Sequence, residues 1–133
     1  MMSVHRAINY RMPADALLGM QTYHDARRAR RLLVPRCRSC AAYHWYPRSF
    51  CPFCYGADLD WQEAAGEAVI YSYSVMRRAD TPYVVALVTL REGPTMMTNI
   101  VDCDVEAVKV GLPVRLTFQD AADSEPYPVF TLA

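Results

Sequence analysis

Four cysteines in two close pairs constrain this chain of 133 residues more than any other feature. Cys37 and Cys40 form one C-x2-C pair, and Cys51 and Cys54 form a second pair after ten intervening residues. Each pair can sit on a tight knuckle with both thiolates facing one ion, and a short hairpin brings the knuckles together around a tetrahedral site. The spacing predicts a four-cysteine zinc ribbon, with Gly56 taking a left-handed turn after the last ligand.

Three other uses of these cysteines fit the sequence less well. A redox C-x2-C of the thioredoxin type needs a βαβ context and usually stands alone. Iron would use the same four thiolates, but the short hairpin has no electron-transfer context. Catalytic zinc keeps an open coordination position, which four thiolates do not leave. We therefore expect one structural zinc ion per chain, whose binding folds a segment too short to bury its own core.

Two further residues with reactive side chains are expected to be structural. Cys103 lies near the end of a predicted strand, and the chain has no histidine after His44 to serve it as a base. We expect Cys103 to be a small buried apolar residue. His44 lies among aromatic residues and is expected to pack in the interior, because the four cysteines complete the zinc shell without it.

Charge is divided unevenly along the chain. Residues 1–56 hold nine arginines and two aspartates, a formal charge of +7, whereas residues 57–133 hold five basic and twelve acidic residues, a charge of −7. The chain is neutral as a whole, unlike the strongly basic proteins that track a nucleic-acid backbone. A content of 53% hydrophobic residues is enough for a packed core and excludes a disordered tail.

The apolar runs are short. None approaches the roughly 18–20 residues that a membrane span needs, and the N-terminus lacks the hydrophobic stretch of a signal peptide. We therefore expect a cytoplasmic protein with no membrane contact.

The N-terminal part carries a helical pattern. Apolar residues recur at helical spacing over residues 14–29, with Pro13 near the first turn, and predict one or two short amphipathic helices. Their apolar face includes Leu17, Leu18 and Tyr23. That face is predicted to pack either on the ribbon or on another subunit.

From Gly66 onward the pattern has a period of two. Apolar and β-branched residues predict three strands, one helical turn that begins at Asp104 and ends before Gly111, and two more strands. The strands are predicted at 69–76, 83–90, 95–101, 114–118 and 129–132. This order of elements is that of a five-stranded OB-fold barrel.

The predicted fold is α+β and mainly β. An N-terminal helical segment (1–32) is followed by a rubredoxin-like four-cysteine zinc ribbon (33–63) and an OB-fold domain (64–133).

Five strings stand in a fixed order along this layout. They are VPRCRSC (34–40), YPRSFCPFC (46–54), GEAVIYSYSV (66–75), PYVVALV (82–88) and VGLPV (110–114). Each is weak alone, but in this order they resemble the OB-fold acyl-CoA-associated zinc-ribbon family, first catalogued as a domain of unknown function. The resemblance covers residues 34–114, and the rest of the chain fits in outline.

The resemblance implies a non-catalytic accessory subunit in a hetero-oligomer. Its partner would be a thiolase-like or hydratase enzyme acting on acyl-CoA thioesters, in C–C bond formation or cleavage such as acyl transfer or retro-aldol removal of sterol-derived side chains. The sequence agrees in one respect, because it offers no acid/base pair, catalytic triad or phosphate loop of its own. We expect the enzyme partner to hold the catalytic groups.

Coenzyme A is a ligand that the chain would share with such a partner. Its phosphates are bound best by arginine, whose guanidinium group donates two parallel hydrogen bonds. The best-placed arginines are Arg48 in the ribbon hairpin and Arg77 and Arg78 after the first barrel strand. The alternative is that these three arginines are ordinary surface charges or form salt bridges with the acidic half of the chain.

Binding of single-stranded nucleic acid is the competing interpretation. Zinc ribbons and OB barrels both occur in nucleic-acid machinery, where aromatic side chains stack on bases, and Tyr71 and Tyr73 could form such a platform. Residues at i and i+2 of a strand are, however, the usual arrangement of core residues. The barrel half, with its charge of −7, would also repel a phosphate backbone. We therefore expect Tyr71 and Tyr73 in the core and no nucleic-acid partner.

Overall fold

The computed structural model describes residues 20–120 and 126–133, and within them a helix, a two-stranded ribbon and a five-stranded barrel. The elements are α1 (Met20–Arg28), β1 (Leu33–Cys37), β2 (Leu59–Glu63), β3 (Glu67–Met76), β4 (Tyr83–Leu90), β5 (Thr95–Val101), a 3₁₀ turn (Val105–Ala107), β6 (Pro113–Gln119) and β7 (Tyr127–Leu132). No helix in these two ranges is long and apolar enough to cross a membrane.

Helix α1 packs on the ribbon. Met20 and Ala26 are buried, and the Tyr23 ring lies 5.7 Å from the Trp45 ring and 6.1 Å from the Trp61 ring, measured between centroids. This resolves the two alternatives for the described part of the predicted helix in favour of the ribbon. Residues 14–19, with Leu17 and Leu18, lie outside the described residues.

The arginines that follow α1 join the basic and acidic halves of the chain. Arg30 lies 2.8 Å from Asp120, and Arg31 lies 3.0 Å from Glu63. Both pairs are exposed, so each contributes little to stability. The division of charge seen in the sequence is therefore partly compensated within the molecule.

The ribbon contains a strand that the sequence patterns did not predict. Strand β2 pairs antiparallel with β1, from Leu33 opposite Glu63 to Cys37 opposite Leu59. Its sequence, LDWQE, alternates weakly and is only half-buried, so its strand conformation depends on pairing with β1.

The five remaining strands form a closed barrel in the order β3-β4-β5-β7-β6. All neighbours are antiparallel except β5 and β7, which pair in parallel. The 3₁₀ turn lies between β5 and β6, and the Asp104 side chain caps it by accepting a hydrogen bond from the Glu106 N–H at 3.0 Å. The predicted fold class and its five-stranded barrel are confirmed.

One hydrophobic core serves both the barrel and the ribbon. Phe130 of β7 is 0% exposed, and alternate residues of β4 point inward around it. Leu32 and Val34, next to and within β1, belong to the same buried cluster as the barrel residues. The ribbon is therefore packed onto the barrel rather than tethered to it.

The prediction that Tyr71 and Tyr73 lie in the core is wrong. Tyr71 is 65% exposed and Tyr73 is exposed as well. In β3 the inward positions are Ala68 and Ile70, and the strand pairing is irregular between Ile70 and Ser72. Alternation showed which residues share a face but not which face is inside.

Gly66 begins the barrel at a position that requires glycine. Its φ is +88°, in the left-handed region, and its carbonyl accepts a hydrogen bond from the Leu116 N–H at 2.7 Å. A Cβ there would lie 3.4 Å from the Leu116 Cβ, which is an ordinary contact, so the cost of a side chain is backbone strain.

We expect Gly66→Ala to lower the free energy of unfolding by about 1–2 kcal/mol, measured by urea titration. Gly111→Ala, at a φ of +89° with no atom within 4 Å of the added Cβ, should cost a similar amount. A Gly66→Ala variant with the same free energy of unfolding as the wild type would contradict the assignment of strain to this turn.

Candidate functional site

The two cysteine pairs lie on knuckles with the same backbone hydrogen bonds. The Ala41 N–H donates to the Cys37 carbonyl at 2.8 Å, and the Tyr55 N–H donates to the Cys51 carbonyl at 2.9 Å. The N–H of each of these two cysteines also donates to a carbonyl five residues further along the chain. Two turns with the same hydrogen bonds therefore hold the backbone of the first cysteine of each pair in place.

The left-handed residue of the second knuckle is Tyr55 and not Gly56, which corrects the sequence prediction. Ala41 (φ 67°) and Tyr55 (φ 64°) occupy equivalent positions in the two knuckles. A Cβ on Gly56 would lie 3.4 Å from the Cys54 sulfur and 3.5 Å from the Ser39 Oγ. Both distances are ordinary contacts and Gly56 has no positive φ, so neither space nor backbone angle requires glycine at this position.

The four sulfurs converge on one point. All lie within 4.8 Å of one another, with 3.5 Å between those of Cys37 and Cys54 and 3.7 Å between those of Cys40 and Cys51. Sulfur atoms at roughly 2.3 Å from a tetrahedral zinc ion are about 3.8 Å apart, so the spacing fits this ion. Cys37 and Cys51 are buried, whereas Cys40 and Cys54 are exposed.

The backbone also favours a thiolate at this point. The N–H of Cys40 donates a hydrogen bond toward the Cys37 sulfur and lowers the pKa of the Cys37 thiol to about 7. A thiolate is the form that binds a metal. Within residues 20–120 and 126–133 these four cysteines are the one group of three or more His, Cys, Asp or Glu side chains placed to hold an ion.

Cys103 lies apart from this cluster and is only partly buried, against the barrel core. Burial raises the pKa of its thiol, and the charges of Asp104 and Asp102 raise it further. These effects keep Cys103 protonated, which suits a packing residue rather than a nucleophile.

His44 is buried behind the first knuckle, where its backbone N–H donates to the Pro35 carbonyl at 3.2 Å. Neither ring nitrogen has a hydrogen-bond partner among the described residues. Burial lowers the pKa of His44, and the charge of Arg48 lowers it further. The ring is therefore held neutral in the folded protein, as a packing residue.

This burial predicts a loss of stability in acid. An unfolded histidine has a pKa of about 6.5, so below that pH the unfolded chain binds a proton that the folded chain does not. The contribution of His44 to the free energy of unfolding should be level above about pH 7 and should fall by up to about 1.4 kcal/mol per pH unit below 6.5, until the folded pKa is reached.

Urea titrations of the wild type and of His44→Leu at several pH values isolate this contribution, because both proteins share every other acid-sensitive group. The variant should lose less stability between pH 7 and pH 5.5. Parallel pH profiles would contradict the prediction.

The three candidate arginines lie on different elements and are not equally available. Arg77 makes a two-pronged contact with Glu106 at the 3₁₀ turn, and this carboxylate raises the pKa of Arg77. Arg48, in the ribbon hairpin, and Arg78, after β3, are exposed and form no ion pair with any described residue. Arg77 thus forms a salt bridge, which is one of the two roles expected from the sequence. The charges of Arg48 and Arg78 are not paired with a carboxylate of the described residues.

Exposed aromatic residues around the knuckles were not identified from the sequence as a site. Tyr46, Phe50, Phe53 and Tyr55 are 53%, 48%, 65% and 77% exposed. Four exposed aromatic side chains within ten residues are a pattern that could have been noticed, but exposure itself is visible only in the structure.

Two family models match the chain. The ChsH2 rubredoxin-like zinc ribbon domain matches residues 24–60, and the ChsH2 C-terminal OB-fold domain matches residues 61–119.

Curated proteins of two kinds are similar to the chain. A probable enoyl-CoA hydratase alpha subunit of Thermomonospora curvata is 37% identical over 113 residues, which are 81% of this chain but 35% of that protein. The chain thus spans about a third of the length of this relative. A DUF35 domain-containing scaffold protein of Methanocaldococcus jannaschii is 32% identical over 66% of this chain and 67% of its own length. The scaffold protein of the same description from Methanothermobacter thermautotrophicus is 30% identical over 75% and 80%.

Two solved structures share the fold. A chain of the structure described as the Ltp2-ChsH2(DUF35) aldolase superposes with a TM-score of 0.75 at 36% identity, covering 84% of this chain and 92% of that one. A DUF35 protein of unknown function from Sulfolobus solfataricus superposes with a TM-score of 0.66 at 16% identity, covering 99% and 93%.

Proposed function

The chain belongs to the DUF35 family, as a ChsH2-type zinc ribbon joined to a ChsH2-type OB-fold domain, and we propose that it is a non-catalytic accessory subunit of a thiolase-like or hydratase enzyme. The enzyme would act on acyl-CoA thioesters in the cytoplasm, making or breaking C–C bonds. The observation that carries the proposal is the 36% identity, over most of both chains, to a structure whose description pairs ChsH2 with Ltp2 as an aldolase. The names of the other relatives, a hydratase subunit and scaffold proteins, support the same role.

We also propose that Cys37, Cys40, Cys51 and Cys54 hold one structural zinc ion per chain. The convergence of the four sulfurs and the match to a rubredoxin-like zinc ribbon support this assignment. Four thiolates fill the coordination shell, so the metal would supply folding energy and no open position for a substrate.

The experiment that tests the subunit role is purification of the tagged protein from its own host, with mass spectrometry of the bound proteins and metal analysis of the same sample. A stoichiometric thiolase-fold or hydratase subunit, with about one zinc per chain, is the expected result. A preparation that contains nucleic acid or translation proteins in place of an enzyme would overturn the proposal.

Direct contact with coenzyme A is a further part of the proposal, and Arg48 and Arg78 are the residues that would make it. Their free guanidinium groups support this, whereas Arg77 is occupied by Glu106. A phosphate group is recognised best by the forked donors of arginine.

We expect Arg78→Glu to lower kcat/KM of the assembled complex for its acyl-CoA thioester by about tenfold or more, since it removes one charge-assisted contact and adds repulsion. Arg115→Glu is the matched control, because Arg115 is exposed and its register partner is Glu67, at the other end of β3 from Arg78. Equal effects of the two charge reversals would show that overall charge, and not a CoA contact, is responsible.

Single-stranded nucleic acid is the second candidate ligand, because Tyr71 proves to be exposed. The acidic charge of the barrel half opposes it. Titration with a labelled single-stranded oligonucleotide at low and moderate salt tests it, and the expected result is no salt-sensitive binding.

A further inference from the structure

The ribbon carries four exposed aromatic residues within ten positions of its hairpin, here together called the aromatic tip: Tyr46, Phe50, Phe53 and Tyr55. The Phe50 and Tyr55 rings are 6.5 Å apart between centroids, and the Tyr46 ring packs at 5.6 Å from that of Trp45. None of the four belongs to the buried core clusters or to the residues packed against them. The fold therefore does not need these side chains for its interior.

Aromatic residues with this exposure usually indicate a binding surface. Exposed apolar patches are uncommon on soluble proteins that act alone, and tyrosine, phenylalanine and arginine are enriched at protein interfaces. Arg48 lies in the same hairpin and is exposed. The composition of the tip is thus that of an interface centre.

Charge identifies the kind of surface that fits. Residues 36–57 contain three arginines and no aspartate or glutamate. Arg38 is paired outside this segment, with Asp58 at 3.8 Å and Asp60 at 3.2 Å. Arg36 lies over the Tyr43 ring at 5.9 Å, and Arg48 has no ion pair with a described residue. Arg48 is therefore an exposed cation in the same hairpin as the aromatic tip, without a carboxylate partner among the described residues.

One exposed cation and four aromatic rings favour a protein over a nucleic acid. A nucleic-acid backbone is bound mainly through many phosphate contacts, each made by a separate cation. A protein face with an apolar pocket and carboxylates at its rim matches both the rings and Arg48.

We propose that the aromatic tip, together with Arg48, is the surface by which the chain docks on its enzyme partner, and that the partner presents an apolar pocket rimmed by aspartate or glutamate. This inference rests on the proposed role as an accessory subunit. The knuckles give the tip its shape, since Phe53 lies between Cys51 and Cys54 and the Tyr55 N–H bonds to the Cys51 carbonyl. Docking then depends on the residues that hold the second knuckle in place.

The test is the dissociation constant between the full chain and the enzyme subunit identified with it by co-purification, measured by isothermal titration calorimetry. The variants are Phe53→Ser and Tyr55→Ser, and each should weaken binding by at least about 30-fold. Arg48→Glu should slow association and make it less sensitive to salt. Tyr71→Ser is the matched control, because it removes an aromatic ring of similar exposure from the barrel and should leave binding unchanged.

The outcomes separate the two proposals. If Tyr71→Ser weakens binding and the tip variants do not, the enzyme docks on the barrel and the inference is wrong, while the accessory role stands. If the wild-type chain binds no thiolase-fold or hydratase subunit, the accessory role fails and the inference fails with it. If the tip variants leave enzyme binding intact but abolish binding of free coenzyme A or of an oligonucleotide, the tip is a ligand site and the docking proposal is overturned. Zinc content and far-UV circular dichroism of each variant show whether the ribbon has stayed folded.

Discussion

Cys51→Ser is expected to abolish stoichiometric zinc binding and to unfold the ribbon. The Cys51 sulfur is fully buried and one of four that converge, so its loss leaves three ligands and a buried hydroxyl in place of a thiolate. Structural zinc contributes about 10–16 kcal/mol of binding free energy in small zinc domains, which is more than the stability of most domains. Metal analysis and the NMR spectrum of the variant measure both effects.

Cys103→Ser is the matched control for this prediction, because Cys103 lies outside the cluster and is only partly buried. It should keep about one zinc per chain and a native spectrum. A Cys51→Ser protein that retains full zinc, or a wild-type protein that contains none, would contradict the assignment of the metal site.

Phe130→Ala is expected to cost about 3–5 kcal/mol of unfolding free energy, because Phe130 is fully buried at the centre of the shared core and its removal leaves a cavity. That amount is a large part of the 5–15 kcal/mol typical of a whole domain. Phe53→Ala, the same substitution at an exposed site, should change stability by no more than about 0.5 kcal/mol. Urea unfolding curves measure the free energy of unfolding of both variants. Equal losses of stability would show that Phe130 does not lie in the core.

Much of the fold could be predicted because two patterns in the chain are strong. The spacing of the four cysteines specifies a ribbon, and the period of two after Gly66 specifies strands whose observed ends lie within two residues of those predicted. Both patterns are local in sequence. The element order then indicated the barrel, since few folds use three strands, a turn and two strands.

The predictions that failed depended on contacts distant in sequence. Strand β2 has no periodic pattern and exists through its pairing with β1. The outward position of Tyr71 depends on which side of β3 faces the core, and alternation alone does not specify this. The aromatic tip was missed for the same reason, because a ring that packs inside and one that projects into solvent look alike in a sequence.

The connection between the ribbon and the barrel is short, and the residues on its ribbon side are packed into the barrel. Three residues separate β2 from β3, the Ala64 N–H bonds to the Leu32 carbonyl, and Leu32 and Val34 are packed into the core of the barrel. The two parts cannot swing independently, so the molecule behaves as a rigid spacer with one end at the knuckles and the other at the barrel. A partner that binds one end therefore fixes the distance and the orientation of the other end.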